Sequence, residues 1–204
     1  MEDIVQVKLD DHVYTIKRMV LTPANLRTFW EKARQFKTLF STEVRGDFKK
    51  FLEIFLSDGP NGIQANGLFW VVDDFLGIMY MTDIIPGIDA KCHISFFDKR
   101  IRGREPLVTA MLHHAFERYG FHRLSLEIAL YINSRNSALL RFAENVGFKH
   151  EGRKRSAAFH DGVWYDVNLF GILKEEIRTP TSAQSEASQS EVSQPTSQTS
   201  LSKV

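Results

Sequence analysis

The chain has 204 residues, 43% of them hydrophobic and 25% charged, with a formal net charge of +1, which predicts one folded domain with a full core. The near-zero charge and the lack of a long basic block give no reason to expect nucleic acid or an anionic membrane as partner. The single Cys92 cannot form an internal disulfide, and no signal peptide or bilayer-spanning apolar run is recognisable, so we expect a cytoplasmic protein.

The N-terminal part of the chain predicts a strand followed by helices. Residues 13–19 have the alternating pattern of a strand. Thr22 is a candidate helix N-cap, and Pro23 stands at the first helical position. Phenylalanines that recur at helical spacing predict a second helix over residues 42–56.

The middle of the chain predicts an antiparallel meander. Its three runs, residues 67–72, 75–82 and 92–97, are rich in residues that favour strands. Turn residues at 73–74 and 86–89 separate them.

The second half predicts two helices, each followed by strand structure. The predicted elements are a helix over 106–119 that ends at Gly120, a strand over 122–131, a helix over 137–145, and a hairpin whose Asp161-Gly162 turn leads into a strand over 163–173. Such an order favours an α+β, mixed three-layer domain around one central sheet, over residues 1–177. The fold class alone does not assign a function.

Residues 178–204 have a different composition. They are rich in Ser, Thr and Gln and contain few apolar residues, so we expect a disordered tail. Such a tail either binds a partner or is modified, or it is a solubilising extension without a specific role.

A loop between a predicted strand and the helix from Pro106 is crowded with cations. The amides at a helix N-terminus, together with its positive dipole end and basic side chains, form a site for a pyrophosphate. The alternative is a solvated loop whose cations pair with surface acids. The candidate cofactor-binding residues of this loop are Phe96, Phe97, Arg100, Arg102, Gly103 and Arg104.

The closing segment carries the most informative pattern. It joins a helix end at Gly147-Phe148 to a basic run and to the hairpin around Asp161-Gly162. With the strand from His122 and the run at residues 136–148, it resembles the GCN5-related N-acetyltransferase (GNAT) superfamily, most of all its ribosomal-protein N-terminal acetyltransferase branch. The resemblance covers residues 67–176 and implies a mostly antiparallel sheet that splays at two central parallel strands, with acetyl-CoA bound in the opening.

The resemblance places the pyrophosphate of acetyl-CoA at the basic loop. The signature of the family there is Gln or Arg, two residues, Gly, one residue, then Gly or Ala. Here Arg100 and Gly103 fit this signature, but Glu105 stands in the last place. An ungapped alignment from the following helix instead puts Lys99 and Arg102 in the first and fourth positions, so two registers stay open.

Two further residues are candidate cofactor contacts. The resemblance implies that Asn136 contacts the pantetheine arm of the cofactor, although the same residue type also suits a helix N-cap. Arg141 either reaches the cofactor phosphates or faces solvent.

Acyl transfer requires a group that accepts a proton from the amine and a source of a proton for the leaving thiolate. Glu127 lies among apolar residues in mid-strand, and the resemblance implies that it is the general base. The alternative is a carboxylate on the solvent face or one paired with Arg. In relatives a tyrosine usually supplies the proton, and Ala143 stands at its position here. Either Tyr131 or water takes this role, and the alternative for Tyr131 is that it only packs.

The resemblance therefore implies an N-acetyltransferase that moves an acetyl group from acetyl-CoA to a primary amine by direct attack in a ternary complex. The acceptor is a protein N-terminus, a lysine or a small-molecule amine. The alternatives are a non-catalytic module that binds acyl-CoA or protein, and an enzyme with a bulkier acyl donor. We expect no metal, because the adjacent His113 and His114 diverge on a helix. We also expect a monomer or a homodimer.

Overall fold

The computed structural model describes residues 3–60, 62–101, 103–129 and 136–177, without the side chains of Asn136 and Ser137. The predicted tail over 178–204 lies outside the described residues. The strands are β1 (Ile4–Leu9), β2 (His12–Arg18), β3 (Leu56–Gly59), β4 (Gly62–Ala65), β5 (Leu68–Val72), β6 (Gly77–Ile85), β7 (Asp89–Phe96), β8 (Arg123–Ala129), β9 (Lys149–His160) and β10 (Val163–Leu173). The helices are α1 (Pro23–Ala33), α2 (Thr42–Gly46), α3 (Phe48–Phe55), α4 (Arg104–Tyr119) and α5 (Asn136–Asn145), and a 3-10 turn (Lys174–Glu176) follows β10.

Eight of these strands form one sheet in the order β1-β2-β5-β6-β7-β8-β10-β9, and β3 and β4 form a separate hairpin. Neighbouring strands in the large sheet are antiparallel except for β7 and β8, which are parallel. The crossover between these two strands is α4. The mostly antiparallel central sheet agrees with the sequence-based expectation.

Helices cover both faces of the sheet and make it the middle of three layers. On one face, which we call the α4 face, α4 and the end of α5 pack in a core that includes Met79, Cys92 and Leu124. On the opposite face, the α1 face, α1 and α3 pack in a second core that includes Phe69 and Ile78. Since successive strand residues point to opposite sides, the polar residues that alternate with Cys92 and Leu124 lie on the α1 face.

Several predicted boundaries agree with the structure, for the expected local reasons. Thr22 caps α1 by accepting a hydrogen bond from the backbone N–H of Asn25. Gly120 ends α4 in the left-handed region at φ 67°. Asp161 and Gly162 both have positive φ, as the tight turn between β9 and β10 requires.

Other boundaries differ from the prediction. The helix predicted over 42–56 is divided into α2 and α3, because Asp47 is extended and its side chain accepts hydrogen bonds from the N–H groups of Lys49 and Lys50. Helix α4 begins at Arg104 rather than at Pro106. Pro106 is tolerated in the first turn because the N–H that proline lacks would have no partner within the helix. The sequence prediction also missed β1 and the β3–β4 hairpin.

Candidate functional site

The sheet opens between β7 and β8. Lys91 pairs with Ser125 near the amino ends of the two strands, where Arg123 also donates a backbone hydrogen bond of 2.9 Å to the carbonyl of Ile88. Among the described residues no further pair joins β7 and β8, although both strands continue beyond this point. The carboxyl-terminal parts of the two parallel strands are thus not paired with each other, and we call the space between them the cleft.

The basic loop lies at the start of α4, beside this cleft. Gly103 is the N-cap of α4 in the left-handed region at φ 64°, and no side chain caps the helix there. Among the described residues, no side chain accepts a hydrogen bond from the first amides of α4, which lie at the positive end of the helix dipole. An anion would be stabilised at this position.

The charged side chains of the loop already interact with one another. Arg100 holds the Asp98 carboxylate with hydrogen bonds from Nε (3.0 Å) and Nη2 (2.6 Å), which lowers the pKa of Asp98 to about 2. Arg104 donates to the Asp98 carbonyl at 3.4 Å. To bind a phosphate through Nε and Nη2, Arg100 has to leave Asp98. Arg102 lies outside the described residues.

Phe96 and Phe97 point to opposite faces of the sheet. Phe96 packs against the core of the α4 face, with the Arg104 guanidinium 5.4 Å from its ring centroid. Phe97 packs in the core of the α1 face, 5.7 Å from the ring of Phe36. The two aromatic rings thus fix the strand end from which the loop starts.

Glu127 lies on the α1 face at the cleft and is paired with two lysines. Lys154 Nζ donates to Glu127 Oε1 at 2.8 Å, and Lys91 Nζ is 3.5 Å from the same oxygen. Lys91 also contacts Asp83 at 2.8 Å. These four side chains alternate in charge and connect strands on the two sides of the cleft.

This environment keeps Glu127 ionised. Burial raises the pKa of Glu127, but the hydrogen bond from Lys154 and the charges of Lys91 and Lys154 outweigh burial, so that the net pKa is below its ordinary value. An ionised carboxylate attracts a cationic amine and can accept a proton from it. The lowered pKa of Glu127 makes this proton transfer less favourable. The sequence-based alternative of pairing with an arginine differs from the structure, in which the partners are lysines.

A row of rings lies next to these charges on the α1 face. His93 stacks on Tyr80, with ring centroids 4.4 Å apart, and its Nε2 is hydrogen-bonded to Thr82 Oγ1 at 3.0 Å. Burial, followed by the charge of Lys91, lowers the pKa of His93 to about 4, so its imidazole is neutral at physiological pH. His93 and Tyr80 form a polarisable wall beside the cleft.

The remaining predicted site residues are not gathered at the cleft by any described contact. Tyr131 lies outside the described residues. Asn136 is the first residue of α5, and Arg141 in the same helix is exposed. Ala143 is fully buried in the core of the α4 face, so no phenol can be supplied from that position.

Sequence reasoning missed Lys91, Lys154 and the ring of Tyr80. The alternation of Lys91 and His93 with Ala90 and Cys92 was a usable signal, because it places two polar residues on one face of a central strand. Nothing local in the sequence shows that Lys154 reaches Glu127 from another strand.

The arrangement fits coenzyme A chemically. The uncapped start of α4 and the nearby guanidinium groups suit a pyrophosphate, and the cleft between β7 and β8 lies beside them. Among the described residues, no three His, Cys, Asp or Glu side chains form a group able to hold a metal ion. The same residues include no helix long and apolar enough to cross a membrane.

This fold and cleft define a class: the chain has the fold of the GNAT acetyltransferases, with the splayed parallel strands that the sequence resemblance predicted. No protein-family model matches the chain. Among curated proteins, the probable N-acetyltransferase YjcK of Bacillus subtilis (strain 168) is 29% identical over 112 residues, a match that covers 54% of this chain and 61% of YjcK. The match thus spans less than two thirds of that relative.

Three solved structures illustrate the likeness of fold. RimJ of Mycobacterium smegmatis in complex with CoA-disulfide has a TM-score of 0.64 at 16% identity, covering 86% of this chain and 89% of RimJ. A probable GNAT-family acetyltransferase from Chromobacterium violaceum ATCC 12472 has a TM-score of 0.63 at 20% identity, covering 86% and 88%. A chimera of the spermidine N-acetyltransferase SpeG from Vibrio cholerae and hSSAT has a TM-score of 0.59 at 19% identity, covering 78% and 96%.

Proposed function

We propose that this protein is an N-acetyltransferase that moves an acetyl group from acetyl-CoA to a primary amine by direct attack in a ternary complex. The observation that carries the proposal is the cleft beyond the Lys91–Ser125 pair, which leads from the uncapped start of α4 to the ionised Glu127. The names of YjcK and of the structural neighbours, one of them in complex with CoA-disulfide, support it.

The residues of the cleft have distinct roles in this proposal. The first amides of α4 and Arg104, joined by Arg100 once it leaves Asp98, bind the pyrophosphate. Glu127 attracts the acceptor ammonium and takes its first proton. Asn136 keeps the pantetheine contact that the resemblance implies, while Arg141 as a phosphate contact and Tyr131 as the acid remain predictions from the sequence. Bound in the cleft, acetyl-CoA supplies the activated thioester.

The acceptor class follows from the charge at the α1 face. A carboxylate that holds two ammonium groups suits an amine that arrives protonated, whether a protein N-terminus, a lysine or a polyamine. A cytoplasmic location and a monomeric or homodimeric state remain predictions from the sequence.

Calorimetry with coenzyme A, combined with thiol release from acetyl-CoA in the presence of an amine panel, tests the proposal. We expect binding of coenzyme A and thiol release that depends on an added amine. Binding without release would favour a non-catalytic module, a rival supported by the ion pairs that already engage Arg100 and Glu127. The absence of binding would contradict the proposed function and leave only a module that binds protein. Thermal shifts with acetyl-CoA and bulkier acyl-CoAs compare the donors, because a ligand of the native state raises apparent stability.

A further inference from the structure

We propose that Lys154 is a self-acetylation site. Its amine takes the acetyl group directly from acetyl-CoA, and Glu127 accepts the proton that the amine releases. The inference rests on the proposed function. It adds a covalent modification of the protein's own chain to the acetylation of external amines.

The first argument is position. Lys154 is on the edge strand β9, and its side chain reaches across β10 to place Nζ 2.8 Å from Glu127 Oε1. An amine in this place stands where an acceptor amine must stand if Glu127 receives its proton. Lys154 therefore occupies the acceptor position within its own molecule.

The second argument is that the backbone around Lys154 is fixed. A bulge interrupts the pairing of β9 with β10 between Lys154 and Ala158. Asp166 holds this bulge by accepting hydrogen bonds of 2.7 Å from the Ser156 backbone N–H and from Arg153 Nε. Arg153 and Ser156, on either side of Lys154, are thus both bound to the Asp166 carboxylate. Because this backbone is already ordered, placing the Lys154 ammonium at Glu127 costs little further backbone entropy.

The third argument is a comparison with neighbouring lysines. Lys91 also contacts Glu127, but it is held by Asp83 as well, and its side chain is only 26% exposed. The side chain of Lys154 is 53% exposed, and its ion pair is to Glu127. Lys149, on the same strand, pairs with Glu176 instead. Lys154 therefore combines contact with the base and freedom to turn toward the cleft.

The chemical step balances. The Lys154 ammonium transfers one proton to the Glu127 carboxylate, which later returns it to solvent. The nitrogen lone pair then forms a C–N bond to the thioester carbonyl carbon, and the C–S bond breaks with its electron pair on sulfur. The second proton of the nitrogen ends on that sulfur, giving the free thiol of coenzyme A and an uncharged acetyl-lysine.

The test is peptide mass spectrometry of the full chain after incubation with acetyl-CoA, at several protein concentrations. We expect acetylation of Lys154 at a rate constant independent of protein concentration and at least about tenfold above that of Lys149, because the reacting groups share one molecule. Glu127→Gln should slow it about a hundredfold. Lys149→Arg, the matched control on β9, should leave it unchanged. Circular dichroism checks that each variant is folded.

Calorimetry with coenzyme A and thiol release with external amines, run on the same protein, separate the two proposals. If coenzyme A binds and external amines are acetylated while Lys154 stays unmodified, self-acetylation is wrong and the proposed function stands. Equal labelling of Lys154 and Lys149, or labelling that Glu127→Gln leaves unchanged, would also overturn the inference. Failure to bind coenzyme A would instead contradict the proposed function.

Discussion

Lys91 of β7 pairs with Ser125 of β8 at the point where the two parallel strands part. The same Lys91 sends its ammonium to within 3.5 Å of Glu127 on the far side of the cleft. One residue thus belongs both to the last backbone pairing of the two strands and to the charge environment of the candidate base.

Replacement of Lys91 by Met should move the acid limb of the kcat/KM profile to higher pH. The positive charge of Lys91 helps to hold the pKa of Glu127 below its ordinary value, so its removal lets that pKa rise. Since the ionised form accepts the proton, activity should then fall at a higher pH. Lys149→Met, which removes a lysine of β9 that pairs with Glu176, is the control. An unshifted limb would show that Glu127 is not the titrating group.

Asp3 should stabilise the fold in a pH-dependent way. Burial raises the pKa of Asp3, but hydrogen bonds from Tyr119, His114 and Trp70 outweigh burial, so the net pKa is lowered. Its contribution is therefore fully present above the ordinary aspartate pKa of about 3.9 and is lost as the pH falls through the lower folded value. Asp3→Asn should flatten the fall of unfolding free energy in this range, measured by urea denaturation.

The phenol that binds Asp3 allows a second measurement on the same cluster. Tyr119 donates to Asp3 at 2.6 Å, and burial together with this carboxylate raises the pKa of Tyr119 to about 12. Tyr119→Phe should cost about 1.5–3 kcal/mol of unfolding free energy, the usual worth of a hydrogen bond to a charged group. The control for Asp3→Asn is Asp11→Asn, which changes an exposed turn residue and should leave the unfolding free energy unchanged.

Gly103→Ala should weaken coenzyme A binding more than Gly87→Ala. Both glycines have left-handed φ values, 64° and 72°, so both substitutions cost about 1–2 kcal/mol of backbone strain. A Cβ at Gly103 would also lie 2.7 Å from Leu9 Cδ1, whereas one at Gly87 would meet no atom within 4 Å. Calorimetry should show a larger loss of affinity for Gly103→Ala. Equal losses would indicate that the start of α4 does not hold the ligand.

Asp98→Asn should tighten coenzyme A binding severalfold. The substitution removes a carboxylate that engages Arg100 through both of its oxygens and leaves that guanidinium available to a phosphate. The gain in affinity should shrink as salt is added, because salt screens the attraction between the exposed Arg100 and a phosphate. Asp58→Asn, in the separate β3–β4 hairpin, is the control. Unchanged affinity would mean that Arg100 does not contact the pyrophosphate.

Local signals in the sequence were sufficient for many elements. Thr22 and Pro23 marked the start of α1, and Gly120 marked the end of α4, because caps depend on a few adjacent residues. The run from Ile4 to Leu9 also alternates and leads into an Asp10-Asp11 turn, so β1 could have been predicted from the same kind of signal.

Contacts between distant segments could not be predicted in this way. The pairing of Glu127 with Lys154 joins residues 27 positions apart, and it depends on the crossing of β10 and on the bulge held by Asp166. The ion pair between Arg100 and Asp98 joins residues that are close in sequence, but its geometry depends on side-chain rotamers that the sequence pattern does not fix. The residue types at the site were readable, whereas their partners required the fold.

The two cores on opposite faces of the sheet have an evolutionary consequence. Helix α4, which begins at the basic loop, packs on the α4 face, while α1 and α3 pack over the other face with a largely separate set of side chains. Substitutions in the aromatic cluster of α1 and α3 can therefore change the α1 face, where Glu127 lies, while the core under α4 stays the same. Such a division lets one face of the sheet diverge among related proteins while the other keeps its packing.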